Sequence, residues 1–230
     1  MKEKEEKPGV EFPMRVNRYL ALQGYCTRRE ADVWVEKGRV LINGNLAKLG
    51  DKVEKDDKVE VINKSNKVEK KVYFAYYKPV GEEMEERYDN DLFPIGRLDK
   101  ESEGLLILTN DGRITDRLLN PDKEHDKEYE VEVDKPLTGH FLKIMGQGVD
   151  IEGYRTRPAE VEQLDDHAFS IILTEGKKHQ IRRMCIGLGF QVQSLKRVRV
   201  INIELDELKP GQHRELEGEE LEQFLKKLGL

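Results

Sequence analysis

The chain has 230 residues, enough for one hydrophobic core with a smaller module beside it. Apolar and charged residues each make up 37% and the net charge is -6, and no apolar run approaches the roughly 20 residues of a membrane-spanning helix. The two cysteines, Cys26 and Cys185, lie far apart in helical patterns, which predicts reduced thiols and leaves too few for a cysteine-rich zinc site.

Residues 1–13 are strongly charged with no apolar stretch, so they read as a disordered tail and not a secretory signal, and a cytoplasmic location is expected. Residues 15–23 begin a helical pattern that Gly24 stops. Thr27-Arg28-Arg29-Glu30 is a capping box opening a second helix, with Ala31, Trp34 and Val35 on one face and Gly38 at its end. Val40-Leu41-Ile42 reads as a strand, Asn43-Gly44 as a hairpin turn, and Val59-Glu60-Val61 as the strand closing the module. Residues 63–71 are polar and lysine-rich, as in a linker.

A second domain is expected over residues 72–230, opening with a strand at 72–77. The apolar run 105–109 reads as a buried strand that turns out at Asn110-Asp111-Gly112 into a short helix at 113–119. Tyr129, Val131 and Val133 alternate with Glu128, Glu130 and Glu132, the period of a half-buried strand. Residues 141–145 are expected to be helical, Phe169, Ile171 and Leu173 to lie on a strand, and Ile181, Met184, Cys185 and Leu188 to follow helical spacing up to Gly189. A strand over 198–205 and an amphipathic helix carrying Leu221, Phe224, Leu225 and Leu228 complete the chain. Strands outnumber helices and the connections vary, which predicts an α+β class built on an antiparallel or mixed sheet.

The negative net charge argues at first against a nucleic-acid partner, but its distribution does not. Between Gly176 and Arg199 stand seven basic residues (Lys177, Lys178, Arg182, Arg183, Lys196, Arg197, Arg199) and no acidic one. Local field, rather than the sum, governs contact with phosphate. Arg28 and Arg29 begin a helix, where backbone amides also favour phosphate, although a solvated helix start explains them equally well locally.

Arg15-Val16-Asn17-Arg18-Tyr19-Leu20, then Gly24 to Ala31, then Gly38-Arg39-Val40-Leu41-Ile42-Asn43-Gly44, resemble the small RNA-binding module named after small-subunit ribosomal protein S-four, over residues 14–62. The resemblance implies contact with an RNA stem, chiefly through phosphates, by Arg15, Arg18, Arg28 and Arg29.

Taken alone, Arg97 and Asp99 read as a surface ion pair, Tyr129 as a core tyrosine and Arg182 as one of a phosphate-binding run. Their context says more. Gly96-Arg97-Leu98-Asp99, followed by Ser102-Glu103-Gly104 and on to Asn110-Asp111-Gly112, resembles the signature of the RsuA-type ribosomal RNA pseudouridine synthases. Lys78-Pro79-Val80-Gly81 is similar to their opening strand, Lys127-Glu128-Tyr129 to their second motif, and the run from Glu175 to Met184 to their third. The ending around Leu208-Lys209-Pro210-Gly211 and Arg214-Glu215-Leu216 also fits, so the resemblance covers nearly the whole chain from Met14.

The family implies that Asp99 is the catalytic carboxylate, either attacking the uridine or abstracting a ribose proton. It implies that Tyr129 lies against the base, placed to help remove the C5 proton, and that Arg182 pairs with Asp99 and keeps it ionised. Ile181 would wall the site, and Arg97, Lys177, Lys178, Arg183 and Arg197 would contact RNA. The target base would be flipped out of its stack, at a cost of a few kcal/mol that aromatic stacking offsets. His179 reads as structural, none of the five histidines shows metal-ligand spacing, and an isomerisation calls for neither metal nor cofactor. The implied partner is a ribosomal RNA stem-loop, acted on by a monomer. Residues 127–138 are most similar to the large-subunit RluF branch of the family. The chain departs from the family in one place: only the acidic residues 82–92 lie between Lys-Pro-Val-Gly and the segment that opens at Phe93 and carries the Gly-Arg-Leu-Asp motif, so part of an RNA-facing loop is expected to be missing.

Two other readings stand beside this one. A non-catalytic ribosome-binding factor could keep the fold, but would not need Asp99, Tyr129 and Arg182 together. A glycosidase-like hydrolase would want a second placed carboxylate, for which Glu101 and Glu103 read as exposed loop charges.

Overall fold

The computed structural model describes residues 12–62, 70–83, 88, 92–120 and 123–230. Most of the expected tail (1–11), of the linker (63–69) and of the acidic segment (84–87 and 89–91) lies outside the described residues. The chain divides into two compact units, with the boundary between Lys70 and Lys71.

The first unit runs β1 (Met14–Arg15), α1 (Val16–Leu22), α2 (Arg28–Glu36), β2 (Val40–Ile42), β3 (Asn45–Leu46), β4 (Lys52–Val53) and β5 (Val59–Val61). Thr27 caps α2: its hydroxyl oxygen accepts from the Glu30 amide at 3.1 Å, and the Glu30 carboxylate accepts from the Thr27 amide at 2.7 Å. Asn43 and Gly44, at φ 51° and 80°, turn β2 into β3. Val16 and Leu20 of α1 pack on Ala31 and Val35 of α2 and on Val40, Ala47 and Val53. Arg15, Arg18, Arg28 and Arg29 remain exposed around this small core. The pairing of β1 with β4 carries no sequence signal, since each strand has only two residues.

The second unit begins with β6 (Tyr73–Lys78), β7 (Phe93–Ile95), β8 (Glu103–Thr109), α3 (Arg113–Leu119), β9 (Lys127–Val133) and α4 (Gly139–Gln147). A small hairpin, β10 (Asp150–Ile151) and β11 (Tyr154–Arg155), is followed by β12 (Glu160–Asp165) and β13 (Ala168–Leu173). Then come α5 (Gln180–Gly187), β14 (Val192–Val200), β15 (Ile203–Glu204), β16 (His213–Glu215) and α6 (Gly218–Lys227). One mixed sheet runs β12-β13-β9-β14-β8-β6-β16, with β7 added on β8 and β15 on β14. The α+β architecture on a mixed sheet is as the sequence predicts.

The sheet has two cores. On one half α3 and α6 bury Ile114, Leu118, Phe224 and Leu228 against Tyr73, Ala75, Leu105 and Ile107. On the other, α4 and α5 bury Phe141, Met145, Ile181 and Met184 against Val131, Phe169, Ile171 and Leu195. The halves meet where β14 runs parallel to β8, with Lys196 opposite Glu103 and Arg197 opposite Gly104.

One expectation needs correction. The last long strand is Val192–Val200, not 198–205; Ile201, at φ 59°, turns it back into β15. Lys196, Arg197 and Arg199 hid its period, because Arg197 points inward where alternation calls for an apolar side chain. The hairpin β10–β11 and the strand β12 were not read at all, being short or almost entirely exposed.

Candidate active site

The segment from β7 to β8 is clamped from several sides, and the clamps explain its shape. Gly96 turns at φ 82° in a space bordered by the Arg197 guanidinium and Leu119. Leu98 is buried and anchors the middle of the loop. Arg197, only 3% exposed, donates from Nε to the Leu105 carbonyl at 2.7 Å and from Nη1 to the Arg97 carbonyl at 3.3 Å. Arg182 Nη2 donates to the Glu101 carbonyl at 3.0 Å and lies 3.3 Å from the Ser102 hydroxyl.

From below, Lys78 at the end of β6 is fully buried and donates to the carbonyls of Ser102 at 2.8 Å and Pro79 at 3.0 Å. Burial lowers its pKa, and the nearby carboxylates of Glu82, Asp99, Glu101 and Glu103 work in the opposite direction. The amide of Gly81 bonds the Lys100 carbonyl at 2.8 Å, so the Lys-Pro-Val-Gly turn and the Asp99 loop are laced together. The Ser102 amide closes a turn on the Asp99 carbonyl at 3.0 Å. Tyr77 adds a bond from its hydroxyl to Glu103 at 2.8 Å; burial first, then that carboxylate, push its pKa up to about 12.

Asp99 therefore sits on a fixed loop with its side chain about one-third exposed. Among the described residues His179 approaches it, with Nε2 3.3 Å from Oδ1, an ion pair when the imidazole is protonated. Neither the Arg97 pairing read locally nor the Arg182 pairing implied by resemblance is present. Arg97 is exposed, and Arg182 spends Nη2 on the loop's neutral oxygens.

Tyr129 lies half-buried in β9, opposite Ile171 on one side and Arg197 on the other. It thus shares Arg197 as a neighbour with the loop that carries Asp99. Ile181 is 4% exposed and belongs to the α4–α5 core.

The third motif is shaped by Glu175, itself buried, which accepts from the Tyr154 hydroxyl at 2.5 Å, the Arg157 amide at 3.1 Å and Gln180 Nε2 at 2.8 Å. Gln180 Oε1 accepts in turn from the Lys177 amide at 2.9 Å. Lys177 and Lys178 are exposed, with the Lys177 ammonium 4.5 Å from the Tyr154 ring centroid. Among the described residues no group of three or more His, Cys, Asp or Glu is arranged to hold a metal ion.

The RNA pseudouridylate synthase family model matches residues 53–186, and the S4 domain model matches residues 14–59. The chain belongs to the RNA pseudouridylate synthase family. It is 40% identical over 223 residues to "Dual-specificity RNA pseudouridine synthase RluF" of Escherichia coli K12, covering 90% of this chain and 77% of that one. It is 36% identical to an uncharacterized RNA pseudouridine synthase of Aquifex aeolicus, over 92% of this chain and 96% of the relative. A crystal structure of a pseudouridylate synthase superposes with a TM-score of 0.67 at 28% identity, covering 94% of this chain and 99% of that one. The chain is accordingly an isomerase that acts on RNA, with an S4 module at its N-terminal end.

In this pseudouridine synthase two expected RNA contacts are used internally. Arg197 is buried, and its Nε and Nη1 bond carbonyls of its own chain, so it has little surface to offer a phosphate. Arg183 bonds Glu152 at 2.6 Å and the Ile151 carbonyl at 3.2 Å, holding the β10–β11 hairpin. The sequence reading missed Lys78 as a loop support, although the Lys-Pro-Val-Gly motif was visible, because a fully buried lysine has no signature of its own. The reading of His179 as structural left its partner unidentified: its Nε2 lies 3.3 Å from Asp99 Oδ1.

Proposed function

We propose that this pseudouridine synthase converts a specific uridine of large-subunit ribosomal RNA to pseudouridine with Asp99 as the catalytic carboxylate. The observation that carries the reading is the Asp99 loop: tied down by Lys78, Arg182 and Arg197, it leaves a carboxylate partly exposed with the His179 imidazole 3.3 Å away. A working group on a loop that its surroundings hold rigid is what positional catalysis needs. The ribosomal RNA assignment rests on the motifs that resemble the ribosomal RNA synthases; the similar RluF protein is described as dual-specificity, so a second RNA is a substrate to look for.

In the proposed reaction the target base leaves its stack and enters beside Asp99. The bond between the ribose and N1 breaks, the detached base turns over, and C5 bonds to the ribose. C5 loses its proton and N1 gains one, so atoms and electrons balance without a co-reactant. Tyr129 is the aromatic neighbour proposed to lie against the base and assist at C5. Arg15, Arg18, Arg28 and Arg29 of the first unit, with Arg97, Lys177 and Lys178 of the second, supply exposed charge for the phosphates of an RNA stem-loop. We place the protein in the cytoplasm, acting as a monomer.

The test is to map pseudouridine in ribosomal RNA from cells carrying the wild-type chain and from cells carrying Asp99→Ala. One or more sites should vanish in the variant. An unchanged map would end the ribosomal RNA assignment.

A further inference from the structure

His179 immediately precedes α5 with φ 53° and ψ 31°, in the left-handed region that side-chain-bearing residues seldom occupy. Its surroundings enforce that conformation. Glu175 and Gln180, 4% and 5% exposed, bond each other, and Gln180 reaches back to the Lys177 amide, so the chain on both sides of His179 is fixed. Strain held in this way by a built network is a feature of working sites. The imidazole does not cap α5. It is turned instead to the neighbouring loop, where Nε2 lies 3.3 Å from Asp99 Oδ1.

We propose that His179 is a positioning residue for Asp99. It holds Oδ1 so that the carboxylate presents Oδ2 to the substrate. The inference rests on the reading of Asp99 as the catalytic carboxylate. Arg182 does a different job: it steadies the backbone of the loop through Glu101 and Ser102, whereas His179 addresses the carboxylate itself. The contact needs a proton on Nε2, which the imidazolium and one neutral tautomer both carry. The ring is 45% exposed, so water competes for Oδ1 when it is removed, and the expected effect is a partial loss of rate, not abolition.

The test uses purified full-length protein and transcribed large-subunit ribosomal RNA labelled with C5-tritiated uridine, reading tritium release in a single turnover. His179→Gly keeps the left-handed backbone and removes the ring; His179→Gln restores an N–H donor. His179→Gly should slow the rate at saturating RNA by about ten- to a hundredfold. The RNA concentration giving half-maximal rate should stay within about twofold. His179→Gln should recover part of the loss. A normal rate in His179→Gly, or a loss confined to the half-saturating concentration, overturns the proposal. Asp99→Asn is run in parallel. If it is inactive while His179→Gly is normal, only the positioning role fails; if Asp99→Asn turns over normally, the reading of Asp99 fails as well.

Discussion

Gly104 in β8 lies against the backbone of Arg197 in β14 with no room for a side chain between them. A Cβ at Gly104, where φ is 108°, would come within 2.6 Å of the Arg197 amide nitrogen. Gly104→Ala should therefore destabilise the protein by roughly 3 kcal/mol, from overpacking plus the positive φ. Gly153→Ala makes a control: it has the same kind of φ, 83°, but open space around it, and should cost only about 1 kcal/mol. Urea unfolding midpoints at constant slope would compare the two.

Arg197 should behave as a support and not as an RNA contact. Arg197→Lys keeps the charge but cannot reproduce the fork that reaches both the Leu105 and Arg97 carbonyls. It should lower stability by about 2 kcal/mol while leaving the salt dependence of RNA binding unchanged. A shallower salt slope at full stability would restore Arg197 to the RNA surface.

Arg28 and Arg29 occupy the first turn of α2, where the helix dipole disfavours cations. Replacing both with Ala should weaken RNA binding and make its salt slope shallower by about 1.5. A double Ala replacement of Lys177 and Lys178 should flatten the slope similarly.

Lys127 gives a pH signature. Burial first, then the neighbouring Arg197 charge, lower its pKa from 10.5 to about 8. Between those values the unfolded chain holds a proton that the folded chain has released, so this group makes stability rise with pH across that window. Below about 8 its buried charge is a constant cost. Lys127→Met should therefore be more stable than wild type at neutral pH, with the gain shrinking as pH climbs toward 10.5. A difference between the two proteins that is flat in pH would contradict the assignment.

Much of the fold was legible because local chemistry and tertiary structure agree. Thr27 and Glu30 form the capping box their spacing announces, and Tyr129, Val131 and Val133 keep their alternation within the sheet. What was not legible depends on long-range contacts. Arg197 and Lys78 look like surface residues in sequence, yet both are buried because main-chain carbonyls nearby accept their protons. Asp99 could be picked out by its motif, but its partner could not. Whether His179 or Arg182 meets the carboxylate depends on how the third motif's loop is folded by Glu175 and Gln180, and sequence spacing carries no trace of that.

The central claim is that Asp99 performs the isomerisation. The most direct measurement is tritium release from C5-tritiated ribosomal RNA by purified wild-type protein and by Asp99→Asn, which preserves shape and removes the charge. With matched folding and RNA binding, wild type should release tritium and the variant should release none above background. Release by Asp99→Asn at a rate comparable to wild type would contradict the account.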